Sequence, residues 1–447
     1  METGTEQLIE HLKQVLVPLN ATPYPDVDCP PSTPKRASVA LILRIQPNNA
    51  HWPGREALEN QSVQPSQDSE ASLKDRIDAF FSQTWVQHGD PEMLFIKRAT
   101  RVGDKWNGHI ALPGGKRDPE DASDEAAAVR ETLEEVGIDL SPGNALHIGN
   151  LPQRIVTTSW GKVPLMVLCP YIYLLTSSEY PSQRLQPTEV ASTHWVSLRA
   201  LMSPALRTYE YADVSARLAK SGLGIKKWFL QLMLSKMMFA AVRLVPSNSV
   251  YCSSIPGFIP QGQSPIHSTA ILGKIKEVCM GPEANYPESQ QPLLLWGLTL
   301  GVVSDFLEHI PPHDALELWT YPTFTNWDVR FTMWAMSYRF RKRKAEEIRA
   351  AVHAEWNSEG DQEGPLSDIL AEEVVEEPGE VGIAGLGVGR HWGKRKRANM
   401  IARGAAVNSM VEGYYPIVRK AVATALCGRM TLLSLLVVYL WRRWHRR

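Results

Sequence analysis

The chain has 447 residues, with 47 lysines and arginines set against 48 aspartates and glutamates and a formal net charge of -1. That length accommodates two or three average domains, and the balanced charge gives no electrostatic case for a nucleic-acid partner. Five cysteines, at 29, 169, 252, 279 and 427, form no CxxC pair and no metal-type spacing, which argues for a reducing compartment and against a disulfide framework.

Glu2, Glu6 and Glu10, with no long apolar run beside them, argue against a signal peptide. Residues 1–36 read as an N-terminal segment, with a helical pattern over 5–16 and a Pro-rich linker over 18–34. The β-branched run at 38–45 reads as a buried strand, and 46–72, rich in Asn, Pro, Gln and Ser, as a loop. Strands are predicted at 93–98 and 109–112, then a helix over 123–136 that Asp121 or Ser123 caps and Gly137 ends. Further strands follow at 146–150, 163–175 and 192–198. Residues 226–243 read as an apolar helix with basic punctuation, whose Met and aromatic stripe fits core packing or, alternatively, a membrane or acyl-chain surface. Residues 311–415 read as helical and then charged and partly disordered, with basic runs at 339–344 and 390–403 around an acidic one at 359–380. The last 32 residues, 416–447, read as an apolar helix whose span over 421–441 is followed by Arg442, Arg443, Arg446 and Arg447. A bilayer core needs about 20 helical residues, so a spanning segment has to include Arg429, which snorkels if it lies near the helix start. Tyr439, Trp441 and Trp444 then form an aromatic belt. An interfacial helix and a soluble docked helix are the alternatives.

The densest chemistry is Gly-Gly-Lys-Arg-Asp-Pro-Glu-Asp at 114–121, followed by Arg-Glu-Thr-Leu-Glu-Glu-Val-Gly-Ile at 130–138. On a helix, Glu131, Glu134 and Glu135 fall within an arc of roughly 100°, and Ala126, Val129, Leu133 and Val136 cluster opposite. One face is expected to pack and the other to carry charge. Carboxylates three and four positions apart repel by a few tenths of a kcal/mol per pair, so three together imply a cation among them. A hard divalent ion with oxygen ligands is the natural candidate.

This arrangement resembles the Nudix box, beginning at Gly115 and completed by Arg130 through Ile138, with Thr132 where an apolar residue is usual. Asp121 replaces the first glutamate and the spacer to Arg130 is one residue longer, both features of the coenzyme A pyrophosphatase branch. The resemblance implies an α/β/α sandwich. Trp-Gly-Leu-Thr at 296–299 looks like the closing strand and helix of that branch, which places the catalytic domain at 37–310 with an insertion at about 205–290. It also implies roles. Glu131, Glu134 and Arg130 are the expected catalytic group, with Glu134 and Glu135 as principal ligands of Mg²⁺ or Mn²⁺, Glu131 as ligand or general base, and the Gly115 carbonyl reaching the metal. Arg130 is expected to orient a glutamate by a bidentate ion pair. Glu189, in Gln-Pro-Thr-Glu-Val-Ala at 186–191, is the candidate further acid and Arg98 the candidate substrate-binding residue. The branch's second signature is incomplete, because Ala99, Asp104 and Leu112 stand where Ser, Arg and Phe are usual.

The activity implied is a Mg²⁺-dependent pyrophosphohydrolase cutting a nucleoside diphosphate linked to another moiety. Coenzyme A or acyl-coenzyme A comes first, then NADH, ADP-ribose and dinucleoside polyphosphates. The reading from a different class is a membrane-anchored binding or scaffold protein with an inactive Nudix fold. The tail implies an intracellular membrane as partner, with the catalytic domain facing the cytosol, and mitochondrial or peroxisomal membranes rank ahead of the endoplasmic reticulum.

Overall fold

The computed structural model describes residues 5–53, 72–100, 106–157, 164–212, 236–254, 292–311, 320–358 and 413–446. In chain order the elements are α1 (Thr5–Ala21), β1 (Arg36–Gln46), α2 (Leu73–Phe81), α3 (Thr84–Gln87), β2 (Asp90–Arg98), β3 (Ile110–Ala111), β4 (Gly114–Lys116) and α4 (Asp124–Val136). There follow β5 (Ala145–Asn150), β6 (Arg154–Thr157), β7 (Pro164–Leu175), β8 (Val190–Ser197), α5 (Leu198–Met202), β9 (Arg207–Ala212), β10 (Met237–Arg243) and β11 (Asn248–Tyr251). The described elements close with β12 (Leu294–Trp296), α6 (Gly297–Leu307), β13 (Thr323–Phe324), α7 (Trp327–Ser358) and α8 (Tyr414–His445).

The main sheet is mixed, with strand order β11-β8-β2-β1-β7-β5. Strands β1 and β7 run parallel at its centre, and the other pairings are antiparallel. β1 is apolar without alternation because both its faces are covered. Leu41, Leu43 and Ile45 join one core with Met93 and Phe95 of β2 and with Leu8, Leu12 and Leu16 of α1. Ala40 and Ile42 turn the other way, into a second core with Leu94, Ile96 and Val136 of α4. The main sheet therefore lies between α1 on one face and α4 on the other, as the α/β/α expectation requires.

A second sheet has the order β12-β10-β13, with β9 on the other edge of β10. Residues 237–243, expected as part of a helix, are thus a strand, while 226–235 lie outside the described residues. Short apolar runs carry no decisive period, and here Phe239, Ala240, Ala241 and Val242 are all buried, which erases the alternation that marks a strand. β12 and α6 fall where the Trp-Gly-Leu-Thr resemblance puts a strand and a helix. A fully buried ion pair between Arg154 of β6 and Asp305 of α6 ties this unit to the main sheet.

Candidate active site

The site is built where β4 meets the start of β1. Gly114 and Gly115 lie in a strand opposite Val39 and Ser38. Gly114 has φ +141°, and a Cβ there would run into the Ser38 carbonyl and the Val39 backbone, so only glycine fits. Its N–H donates to Glu135 Oε2 at 2.9 Å. A Cβ on Gly115 would land on the Glu131 carboxyl. Gly114 is required by its left-handed backbone and the β1 strand beside it, and Gly115 by the Glu131 carboxyl that presses on it.

That contact corrects part of the expected orientation of α4. Its buried residues are Asp124, Ala127, Ala128, Thr132, Glu135 and Val136, whereas Leu133 is half exposed. Glu135 and, in part, Glu131 turn inward across the strand, while Val136 and Val129 pack as expected and Leu133 and Glu134 look to solvent. Thr132, the poor match to an apolar position, is fully buried and donates its hydroxyl to the Ala128 carbonyl at 2.7 Å, which satisfies it without an outside partner. Ser123 is the cap, accepting from the Ala126 N–H at 3.0 Å.

Two backbone hydrogen bonds fasten the loop before β8 to the end of α4: the Arg184 N–H to the Val136 carbonyl at 2.8 Å and the Gln186 N–H to the Glu135 carbonyl at 2.9 Å. They deliver Glu189 to the glutamates of α4, so that carboxylate oxygens of Glu131, Glu135 and Glu189 lie within 4.8 Å of one another. Glu134 stands outside this trio, more than half exposed and 3.2 Å from Arg130. Arg130 is a hub rather than a glutamate clamp. It donates from Nε and Nη2 to the two oxygens of Asp121, both at 2.9 Å, and to the Lys116 carbonyl at 3.1 Å. Glu131 and Glu134 receive single contacts of 3.2 Å each. The bidentate partner is therefore Asp121, the acid that replaces the usual glutamate, and this pairing holds its carboxyl below the usual carboxylate range. Arg98 ends β2 at a bulge, and its charge reaches Glu135.

Burial pushes the Glu135 carboxyl up to about 8, opposed by the Gly114 N–H and reinforced by Glu131 and Glu189. Burial likewise raises Glu131, against the pull of Arg130. Three all-oxygen carboxylates held this close, one of them almost fully buried, fit a hard divalent cation, which would replace the proton that burial favours. Sequence reasoning offered Asp121 as a helix cap and not as the partner of Arg130, and it missed Arg36 and Asp124, whose 2.7 Å ion pair pins the first residue of α4 to the first residue of β1. The signal for Asp121 was present, since its separation from Arg130 is fixed within the motif. Asp104, the substituted position in the second signature, lies outside the described residues.

A NUDIX domain model matches residues 84–218. An uncharacterized protein of Schizosaccharomyces pombe, C14C4.10c, is 30% identical over 322 residues, covering 70% of this chain and 78% of that protein. The uncharacterized Nudix hydrolase NudL of Yersinia enterocolitica is 35% identical over 82 residues, covering 18% of this chain and 40% of its own length. Among solved structures, a MutT/nudix family protein from Enterococcus faecalis has 16% identity and a TM-score of 0.22, covering 43% of this chain and 54% of that one. A C. elegans Ap4A hydrolase has the same identity and TM-score, covering 38% and 83%. The family model, placed over the Gly-Gly strand, α4 and the Glu189 loop, together with the long alignment to the fission-yeast protein, shows that the chain belongs to the Nudix family of hydrolases.

Proposed function

We propose that the chain is a divalent-cation-dependent pyrophosphohydrolase that cuts a nucleoside diphosphate linked to another moiety, and that α8 holds it on an intracellular membrane. The observation that carries the reading is the trio Glu131, Glu135 and Glu189, closed by the Gly114 N–H. When bound, a divalent cation supplies charge neutralisation for the phosphates and lowers the pKa of water. The residues of the chain do the rest. Glu131, Glu135 and Glu189 hold the ion, Glu131 or Glu189 accepts a proton from the attacking water, Arg130 and Asp121 fix the register of α4, and Arg98 offers a cation to phosphate. Glu134, at the exposed rim, contributes to a second, weaker cation position.

Coenzyme A or acyl-coenzyme A is the first substrate to try, on the strength of Asp121, the long spacer and Trp-Gly-Leu-Thr at 296–299. NADH, ADP-ribose and dinucleoside polyphosphates follow. The test is to incubate the full chain in detergent with Mg²⁺ and this panel and to identify the products. A nucleoside monophosphate or a phosphorylated fragment, without direct release of orthophosphate, is expected. Failure on every substrate, with no cation bound in calorimetry, would leave the binding or scaffold reading in its place.

α8 is long and apolar enough to cross a bilayer, with a mean hydropathy of 1.9 over its most apolar window and only 11% of that window buried. Length and composition support the membrane reading, and mitochondrial or peroxisomal membranes remain the first places to look.

A further inference from the structure

Next to the end of β2, four aromatic rings form a continuous row. Trp106 meets His109 at 5.5 Å between ring centroids and 81° between planes, His109 meets Trp296 at 5.1 Å, and Trp296 meets Phe239 at 5.4 Å. The row runs from solvent to core, since Trp106 is 40% exposed and Phe239 only 3%. Its outer half is made by a turn. The His109 N–H donates to the Trp106 carbonyl at 3.3 Å, and Gly108 takes the left-handed conformation that such a turn needs, φ +69°. Its inner half belongs to the second sheet, because Trp296 ends β12 and Phe239 lies in β10. The Thr299 hydroxyl of α6, donating to the Ile110 carbonyl at 3.4 Å, fastens the two halves together. Trp296 and Phe239 lie outside residues 84–218, so the matched family domain does not by itself supply this inner half.

The end of β2 joins this row to the carboxylate trio. The Arg98 N–H donates to the His109 carbonyl at 3.0 Å, and the Arg98 carbonyl accepts from the Gly108 N–H at 3.2 Å. The next N–H along, that of Ala99, donates to the Glu189 carbonyl at 2.8 Å. The turn and Glu189 therefore flank β2, two strand spacings or roughly 10 Å apart. Across the sheet the order is a carboxylate site fitted to a divalent cation, then the guanidinium of Arg98, then flat rings. A nucleotide presents its groups in the matching order, phosphate first and base last.

We infer that Trp106, with His109 and Trp296 behind it, is the platform on which the substrate's nucleobase stacks while its phosphates meet Arg98 and the trio. The inference deepens the pyrophosphohydrolase reading and rests on it for the placing of the phosphates. Stacking on an exposed ring is the sequence-tolerant way to hold a base. This ring is braced through His109 and Trp296 onto Phe239 of the core, so it is set before a ligand arrives. A base also suits the row better than an acyl chain does, because the indole N–H and the imidazole nitrogens give the rings polar edges. Only the base has donors and acceptors to match them.

The test measures binding of AMP and of ribose 5-phosphate, which lacks the base, to the full chain in detergent with Mg²⁺. AMP is expected to bind about 10- to 100-fold more tightly. Trp106→Leu should remove that preference and Trp106→Phe restore most of it, with the melting temperature unchanged in both. On whichever adenine-containing substrate of the panel is cut, Trp106→Leu should raise KM by a similar factor and act little on kcat, because the ring touches no reacting atom. No binding of AMP, equal affinity for the two probes, or a preference that survives Trp106→Leu overturns the inference, and hydrolysis of the panel then leaves the activity standing without it. A loss of affinity for 4′-phosphopantetheine instead of AMP gives the row to the other half of the substrate and also overturns it. Absence of hydrolysis on every substrate, with the AMP preference present and dependent on Trp106, removes the activity and keeps the platform. Irradiation of the wild-type chain with 8-azido-AMP needs no variant: labelling of the turn at 106–109 is expected, and labelling confined to other segments overturns the inference.

Discussion

Glu135 and Glu134 are adjacent in sequence and differ in what surrounds them, which makes them a discriminating pair. Glu135→Gln removes a carboxylate from inside the trio and is expected to lower kcat by at least about 10³-fold, since ligand and cation together supply several kcal/mol of transition-state stabilisation. Glu134→Gln, at the rim, is expected to cost only about 10- to 100-fold, mainly by raising the Mg²⁺ concentration needed, a difference of about 1.4–2.7 kcal/mol. Equal losses would place both in one ligand set. The same carboxyl makes a pH statement. Its folded value of about 8 lies above its ordinary 4.5, so in the metal-free protein the stability it contributes is fully present below about 4.5 and is lost as the pH rises through about 8. Cation binding has to displace that proton, so affinity should climb with pH up to about 8 and then level. Calorimetry in buffers of different ionisation enthalpy reads the released proton, and Glu135→Gln should reduce both the release and the slope, leaving the part that belongs to Glu131. Arg130→Lys keeps a charge but loses the planar pair to Asp121. A shift of α4 by about 1 Å costs on the order of 10²-fold in rate, and that loss should appear in kcat more than in KM.

At the scale of elements, the strand made by β4 is where sequence and geometry are least forgiving. Gly114→Ala places a side chain at φ +141° against the Ser38 carbonyl and is expected to destabilise by about 1–3 kcal/mol, read as a lowered denaturation midpoint. A wild-type midpoint would mean that β4 pulls away from β1 at little cost. The strands at 38–45 and 93–98, the helix at 123–136 and the strand–helix pair at 294–307 were legible because each has its own period, cap or motif. The inward turn of α4 was not legible from hydropathy, which assigns carboxylates to solvent. The Gly-Gly pair was the available clue, because Gly115 leaves room for the Glu131 carboxyl and the Gly114 N–H donates to Glu135. β10 failed for the opposite reason, a run buried on both faces with no alternation to read. α2 and α3 lie between the loop read over 46–72 and the strand read at 93–98, a stretch that was given no element, although Ser72 and Asp75 form a complete capping box at the start of α2. Arg130's true partner followed from neither period nor hydropathy, because it depends on where the loop at 117–123 returns to the helix.

For the molecule as a whole, the boundary between the packed and the exposed half of α8 falls at Arg429. Tyr414, Tyr415, Val418, Ala421, Val422 and Ala425 of α8 are buried in the same core as Val329 and Met333 of α7, whereas Met430, Leu432, Leu433, Leu435 and Leu436 are exposed. Truncation at 421, where the apolar composition begins, would strip Ala421, Val422 and Ala425 from that core, on the order of 3 kcal/mol of apolar burial. It would also leave Asp328 without the guanidinium that holds its carboxyl below the usual range. Truncation after Arg429 keeps the packed half and the ion pair and removes only the exposed half. The expected outcome is a chain that moves from the membrane pellet to the soluble fraction with its melting temperature and its turnover of a soluble substrate retained, while truncation at 421 lowers the melting temperature as well. Alkaline carbonate separates spanning from surface contact: the full chain should stay in the pellet, because an all-round apolar helix with arginines beyond it does not leave a bilayer when ionic contacts are broken. Release by carbonate would overturn the spanning reading and return α8 to the surface of the membrane or of the domain.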